Sequence, residues 1–403
     1  MLYIPLNSLR TDLSASRRVW ERVSLTSCSI NEKNIKMKLH IPTGLLTLFL
    51  CATNFASAAY YFEDTKLDVL NEDDEINVYG CNVEVNSVNG GITLYAYSQE
   101  ETESNGWFDE GVTTMKPASF KANSNLILNY SEIKGLSSSN VATIIASEIT
   151  TKGKVTFEYA NVQALDGDVT VSGKLYDDGF IARSSVTNTS LIADKGSVNI
   201  TGYLTMGSGT ISAAESVNIT NSTVTINGLS AKKVNINEDG ALNIKEAGRV
   251  ELGEAAVGAG ASFGIEEAIL VFNEESSIAL TESATLTAFD NVSFEFIMDA
   301  DSITGSSVTY SFDVFTGIDN LTDENSLAII DQFKQALAAG EIDIALKSMT
   351  ADGELVDLDA GSANVSLTNG SLTVSGTVTI PEPTTATLSL LALAGLAARR
   401  RRK

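Results

Sequence analysis

The 403-residue sequence is nearly without the residues on which most enzyme chemistry turns. It has one histidine, His40, and three cysteines, Cys28, Cys51 and Cys81. Of its five prolines only Pro117 falls within residues 59–380, and of its arginines only Arg183 and Arg249 do. Aromatic residues make up 7% of the chain, few for stacking sugars. Each shortage excludes something. Without histidine, no side chain titrates near neutrality to shuttle protons. His40, Cys28 and Cys51 precede residue 59, in a segment expected to be removed. Cys81 then stands alone, so no intramolecular disulfide forms, and it is expected to act as a small buried hydrophobe. Proline lacks the N–H of a sheet ladder, so a stretch this poor in it is free to be strand throughout.

Basic charge is missing from the middle of the chain. Residues 59–380 hold 47 of the 51 acidic residues and 15 of the 27 basic ones, a net charge of −32 against −24 for the whole. Such a surface repels phosphate backbones and anionic headgroups, so nucleic acid and lipid are poor partners for it. It attracts cations diffusely, and weak Ca²⁺ binding is expected with no other cofactor. A hydrophobic share of 43% and a mean hydropathy of +0.07 exclude both a disordered chain and a multi-span membrane protein. The length leaves room for two or three domains.

The two ends read as addresses. Met37 and Lys38 open a secretory pattern, with an apolar run from Ile41 to Cys51 and a small-x-small site at Ala56-Ser57-Ala58. Residues 37–58 are therefore expected to be a signal peptide cut after Ala58 by signal peptidase. Residues 1–36 are expected to lie ahead of the true start, the alternative being an unusually long charged region. A lipoprotein site at Cys51 fails because Leu50 stands where a small residue is needed.

At the other end Pro381-Glu382-Pro383 precedes an apolar run over 384–398, then Arg399, Arg400, Arg401, Arg402 and Lys403. The prolines end the last strand and leave an extended segment for a protease. The apolar run enters the bilayer as a membrane helix, and the cations stay in the cytoplasm, drawn to anionic lipid by about 1 kcal/mol each. This three-part tail resembles the PEP-CTERM sorting signal recognised by exosortases in Gram-negative bacteria. The resemblance implies membrane retention by residues 381–403, cleavage near Pro381–Pro383, and delivery to the surface or extracellular matrix. Fifteen apolar residues at about 1.5 Å each span roughly 22 Å, short of a core of about 30 Å, so the inner-membrane anchor is expected to be transient.

Between the ends one phrase returns: Gly153-Lys154-Val155-Thr156-Phe157, Gly167-Asp168-Val169-Thr170-Val171, Gly196-Ser197-Val198-Asn199-Ile200 and Glu215-Ser216-Val217-Asn218-Ile219. Lys232-Lys233-Val234-Asn235-Ile236, Gly240-Ala241-Leu242-Asn243-Ile244 and Gly248-Arg249-Val250-Glu251-Leu252 continue it, at uneven steps. Apolar–polar–apolar is the period of a half-buried strand. Short strands with small corner residues predict a mostly β chain with a parallel β-solenoid over 126–290. The pattern is similar to the right-handed β-helices of bacterial adhesins and autotransporter passengers; an antiparallel sandwich is the alternative. Residues 59–125 are expected to form an N-terminal β cap or first coils, with a loop around Glu100 to Gly111. Residues 291–380 are expected to be a sandwich-like β-rich domain. It carries one helix over 323–339, with a stripe of Leu327, Ile330, Phe333 or Lys334, and Leu337, and a hairpin at Asn369-Gly370.

Chemistry is weakly signalled. Asn235, Asn237 and Asp239-Gly240 with Glu246 approximate an EF-hand loop, but strands rather than helices are expected to flank it. Asp166 and Asp168, and Asp177 and Asp178 near Arg183, are the best carboxylates for a polysaccharide lyase or glycoside hydrolase on a β-helix scaffold. Both pairs fit ordinary turns. The expectation is a non-catalytic, exported structural or adhesin-like protein, whose polar face of Asn, Thr and Ser meets glycans, exopolysaccharide or neighbouring proteins.

Overall fold

In the repeated phrase, burial alternates as its polarity does: Val198 and Ile200 are fully enclosed, while Asn199 and Thr201 lie half-buried on the outside. The computed structural model describes residues 58–103, 112–175, 181–299, 307–349, 355–358 and 363–379. The expected extension 1–36, the signal peptide short of Ala58 and the sorting segment 381–403 lie outside them.

The strands stack in parallel. Val198–Thr201 pairs in register with Val169–Ser172 before it and with residues 217–220 after it. That ladder continues through residues 233–237, Glu254–Val257 and Ser277–Leu280. Two further ladders run alongside, so each turn of the chain lays one segment on each of three faces. On the face holding Ser184, successive partners are Ser184 with Leu204, Thr205 with Thr223, Thr223 with Ala241, Ala241 with Ser262 and Ser262 with Thr285. The turns are unequal: the one from Thr205 to Thr223 is among the shortest, and the one from Ser262 to Thr285 is the longest of these. The result is a β-solenoid of about ten turns, with 67% of the described residues in strands.

The uneven spacing of the phrase now has a reason. The long steps, from Val169 to Val198, Val217 and Val234, are whole turns on one face. The short steps, from Val234 to Leu242 and from Leu242 to Val250, move from one face to the next. The phrase marks faces, not turns.

The core is a set of aliphatic columns. Val169, Val198, Val217 and Val234 form one; Val171, Ile200, Ile219, Ile236, Val257 and Leu280 form another, none more than 2% exposed. Burying each such side chain contributes about 1.5–3 kcal/mol, which is what holds a turn against its neighbours. Corners are made by left-handed residues in matching positions. Tyr159, Asn188 and Ser208, with φ of 46°, 49° and 58°, each follow a paired residue of one face and start the bend to the next. Gly209 follows at φ 136°, where a Cβ would overlap the Thr189 carbonyl, so only glycine fits.

The stack begins at Ala58–Tyr61, which pairs with Glu75–Tyr79. Where the sequence suggests a loop around Glu100, the structure has an antiparallel ribbon, Gln99–Glu103 against Val112–Lys116; residues 104–111 lie outside the description. Both strands sit between consecutive solenoid segments, so the ribbon is an insertion into one turn.

The far end turns from parallel to antiparallel. Thr285–Asp299, which spans the expected boundary at 290/291, pairs in parallel with Ser262–Phe272 and Ile344–Met349. Ser307–Thr316 then pairs antiparallel with Ser371–Thr379, which forms a hairpin with Asn364–Thr368. Asn369 and Gly370 at its tip have φ of 52° and 72°, the double left-handed turn that suits strand twist. Helix α1, Glu324–Ala339, packs on the strand 285–299 side of this end. Asp323 caps it through the Ser326 N–H, and Gly340 stops it at φ 71°. Its buried face is Ser326, Ile330, Phe333 and Leu337, whereas Leu327, expected in the stripe, is 39% exposed. Ser326 takes that place because its hydroxyl accepts the N–H of Leu286 at 2.9 Å, satisfying a donor on the last turn.

Candidate functional site

The outward positions of one face form a hydrogen-bonded amide ladder. Asn235 donates through Nδ2 to Asn218 Oδ1 at 2.7 Å, and Asn218 donates to Asn199 Oδ1 at 2.8 Å. Asn199 donates to Asp168 Oδ2 at 3.2 Å, and the Ser197 N–H donates to Asp168 Oδ1 at 2.7 Å. The ladder satisfies these groups along the solenoid axis, so Asn235 and Asp168 serve the stacking itself.

The other sequence candidates are scattered. Asn237 ends the strand Gly228–Asn237, and Asp239 occupies the following turn at φ 49°. Glu246 lies within the strand Ala241–Glu251, exposed, at φ 50°. Strands therefore flank the EF-hand-like stretch, and its first residue is engaged in the amide ladder. Among the described residues no three His, Cys, Asp or Glu side chains gather closely enough to share a metal ion. Asp166 pairs with Lys195 at 2.6 Å in solvent, and Arg183 is exposed. Asp177 and Asp178 lie outside the described residues. Cys81 is 4% exposed, with its Sγ 3.4 Å from the Tyr61 carbonyl, and burial pushes its thiol up, away from the reactive thiolate.

Sequence reasoning missed a charged network and two hollows. Glu295, 6% exposed, accepts from Arg249 Nη2 at 2.8 Å and from Lys347 Nζ at 2.8 Å. Burial alone would raise its carboxyl, but the bonds from Lys347 and Arg249 outweigh that and hold it below the usual glutamate value. A groove of about 550 Å³ crosses several turns, with Ala213, Ala231, Val271 and Ile297 buried beneath it. On its rim Lys233 pairs with Glu254 at 2.8 Å and Lys232 with Glu215 at 3.5 Å. A second hollow of about 830 Å³ lies between α1 and residues 287–293 and carries Glu267, Asp290, Glu341 and Asp343. In the first groove the Ser230 hydroxyl donates to Glu251 at 3.2 Å, and Glu251 is also held by Arg249.

Function is thus better signalled by the end of the chain. The last described strand, Ser371–Thr379, closes the fold, and two residues later comes Pro381. Residues 379–403 match the PEP-CTERM protein-sorting motif. The chain carries a PEP-CTERM sorting signal. Pro381, Glu382, Pro383 and Arg399 to Arg402 all lie within the matched span, outside the described residues. The PEP-CTERM motif implies recognition by an exosortase and export to the cell envelope or surface. No curated protein and no solved structure is significantly similar to the chain. Among the described residues no helix is long and apolar enough to cross a membrane; the expected membrane helix over 384–398 lies outside them.

Proposed function

We propose that this is a non-catalytic structural or adhesin-like protein displayed on the surface, or held in the extracellular matrix, of a Gram-negative bacterium. Signal peptidase removes residues through Ala58; residues 384–398 then hold the chain in the inner membrane until an exosortase cuts near Pro381–Pro383. One observation carries the reading: the sorting motif starts at Thr379, the last residue of the last described strand. Both processing points thus flank the solenoid. The first described strand starts at Ala58, so among the described residues removal of the leader takes one from the stack.

The body supports a structural role. Its outward polar groups bond to one another along the stack, and its carboxylates are spread out or paired with lysines. Locating a tagged chain in cells with and without the exosortase tests the reading. The expected result is surface or released protein in the first and an uncleaved membrane-held form in the second; identical distribution in both refutes it. The polysaccharide lyase or hydrolase reading is tested by a glycan screen with and without Ca²⁺. No turnover is expected, and cleavage abolished by Asp177→Ala or Asp178→Ala would replace the structural role with an enzymatic one.

A further inference from the structure

Apart from the phenylalanine cluster of the closing end, a row of aromatic side chains stands on the outward side of the first three turns. Phe62 stacks on Tyr79 with ring centroids 5.1 Å apart and planes 11° apart. Tyr79 stacks on Tyr97 at 5.6 Å and 21°. In the adjoining column Tyr60 pairs with Asn77 and Asn77 with Tyr95. These rings are not core. Tyr60 and Phe62 are 58% and 57% exposed, and Tyr79, Tyr95 and Tyr97 are half-buried. Touching carbon atoms sit about 3.5–4.0 Å apart, so the wider centroid spacing means each ring is slid past the next like a roof tile. The strip as a whole stays partly open to solvent.

The same columns continue in hydrogen-bonding groups. Tyr97 is followed by Lys134 and Glu158, and Tyr95 by Glu132 and Thr156. Burial and then the Glu132 carboxylate, to which its hydroxyl donates, keep the Tyr97 phenol protonated. Tilted rings beside carboxylates and hydroxyls complement a sugar, which offers C–H faces to rings and hydroxyls to polar atoms. Charge narrows the class. Glu75, Glu132 and Glu158 outnumber Lys134 on this strip, and the surrounding body carries −32, so carboxylated or sulfated glycans are repelled.

We propose that the strip Phe62–Tyr79–Tyr97, with Tyr60, Tyr95 and Glu132 beside it, binds an uncharged polysaccharide lying along the solenoid axis. The proposal rests on the reading of the protein as displayed outside the cell, and it names the class of partner that display would meet.

Affinity electrophoresis of the full chain through gels containing hydroxyethylcellulose, glucomannan or alginate tests it. Retardation is expected in at least one of the two uncharged polymers and not in alginate. Phe62→Ala and Tyr97→Ala are expected to weaken it at least tenfold, and Tyr79→Phe to preserve it. If Tyr97→Ala loses its β-type circular dichroism, Phe62→Ala at its exposed position carries the comparison. No retardation in either uncharged polymer, or equal retardation of wild type and Phe62→Ala, overturns the proposal. Concentration-dependent dimerisation abolished by Phe62→Ala also overturns it, because the strip is then a contact between copies. The binding assay uses purified protein, so its outcome is independent of the cellular localisation that tests the display reading.

Discussion

Among the described residues Glu295 is the only charged one that the fold buries, and its two cations come from far before it and far after it in the chain. Arg249 lies on the strand Ala241–Glu251 and Lys347 on Ile344–Met349, so the network joins the regular turns to the closing end. Glu295→Gln removes the negative charge the two cations share and turns one of its two acceptor oxygens into a donor. Arg249 is 42% exposed and Lys347 25%, and water softens the loss to about 1–3 kcal/mol. Urea unfolding at pH 7 measures it. The folded carboxyl is held below its unfolded value, so its contribution is full above about pH 4.3 and is lost as pH falls through the folded pKa. The gap between wild type and Glu295→Gln should therefore close in acid; a gap that widens there refutes the assignment. Nothing in the sequence points to this trio, because no motif has spacings of this kind. The amide ladder was half legible. The recurring asparagine was visible at 199, 218 and 235, but whether it faced a ligand or its own neighbour depends on the register between turns.

At the scale of elements, local signals were read well where one residue decides the geometry. Asp323 and Gly340 bound the helix, and Asn369-Gly370 turns the hairpin, because caps and tight turns are set by the residue's own side chain and φ. The helix face was harder. Its apolar spacing admits Leu327, yet the structure buries Ser326 instead, where the hydroxyl meets the unpaired N–H of Leu286. Ser326→Ala is expected to cost about 1–3 kcal/mol, more than a surface serine, because it leaves that N–H enclosed without an acceptor. Hydrogen exchange provides the check: protection at Leu286 should drop further than in the middle turns, and equal protection across the stack would refute the capping role. Asp323, whose carboxyl is lowered by its bonds to Ser326, adds stability that is lost as pH falls through its folded value. The ribbon at Gln99–Glu103 and Val112–Lys116 was missed because neither segment alternates apolar and polar residues, the pattern that betrays a strand.

Over the whole molecule, a quasi-one-dimensional stack has its two ends as its weak points. The far end is closed by α1 and the antiparallel strands, and the sorting motif follows directly. A chain ending at residue 380 is therefore expected to keep the β-type circular dichroism and urea midpoint of the full chain. A lowered midpoint would show that the tail belongs to the fold and not to its export.

The sequence by itself determined the strands, the small corner residues, the acidic middle and the sorting signal. Each is written in neighbouring residues: an alternation of period two, a turn dipeptide, a proline pair before an apolar run and a basic end. Only the tertiary structure decided which residues share a column. Turns of unequal length, one of them carrying an inserted ribbon, set that register, and it is fixed by how each corner packs on the one beneath it. Phe62, Tyr79 and Tyr97 stand at intervals that no sequence period announces, and they meet because the solenoid stacks them.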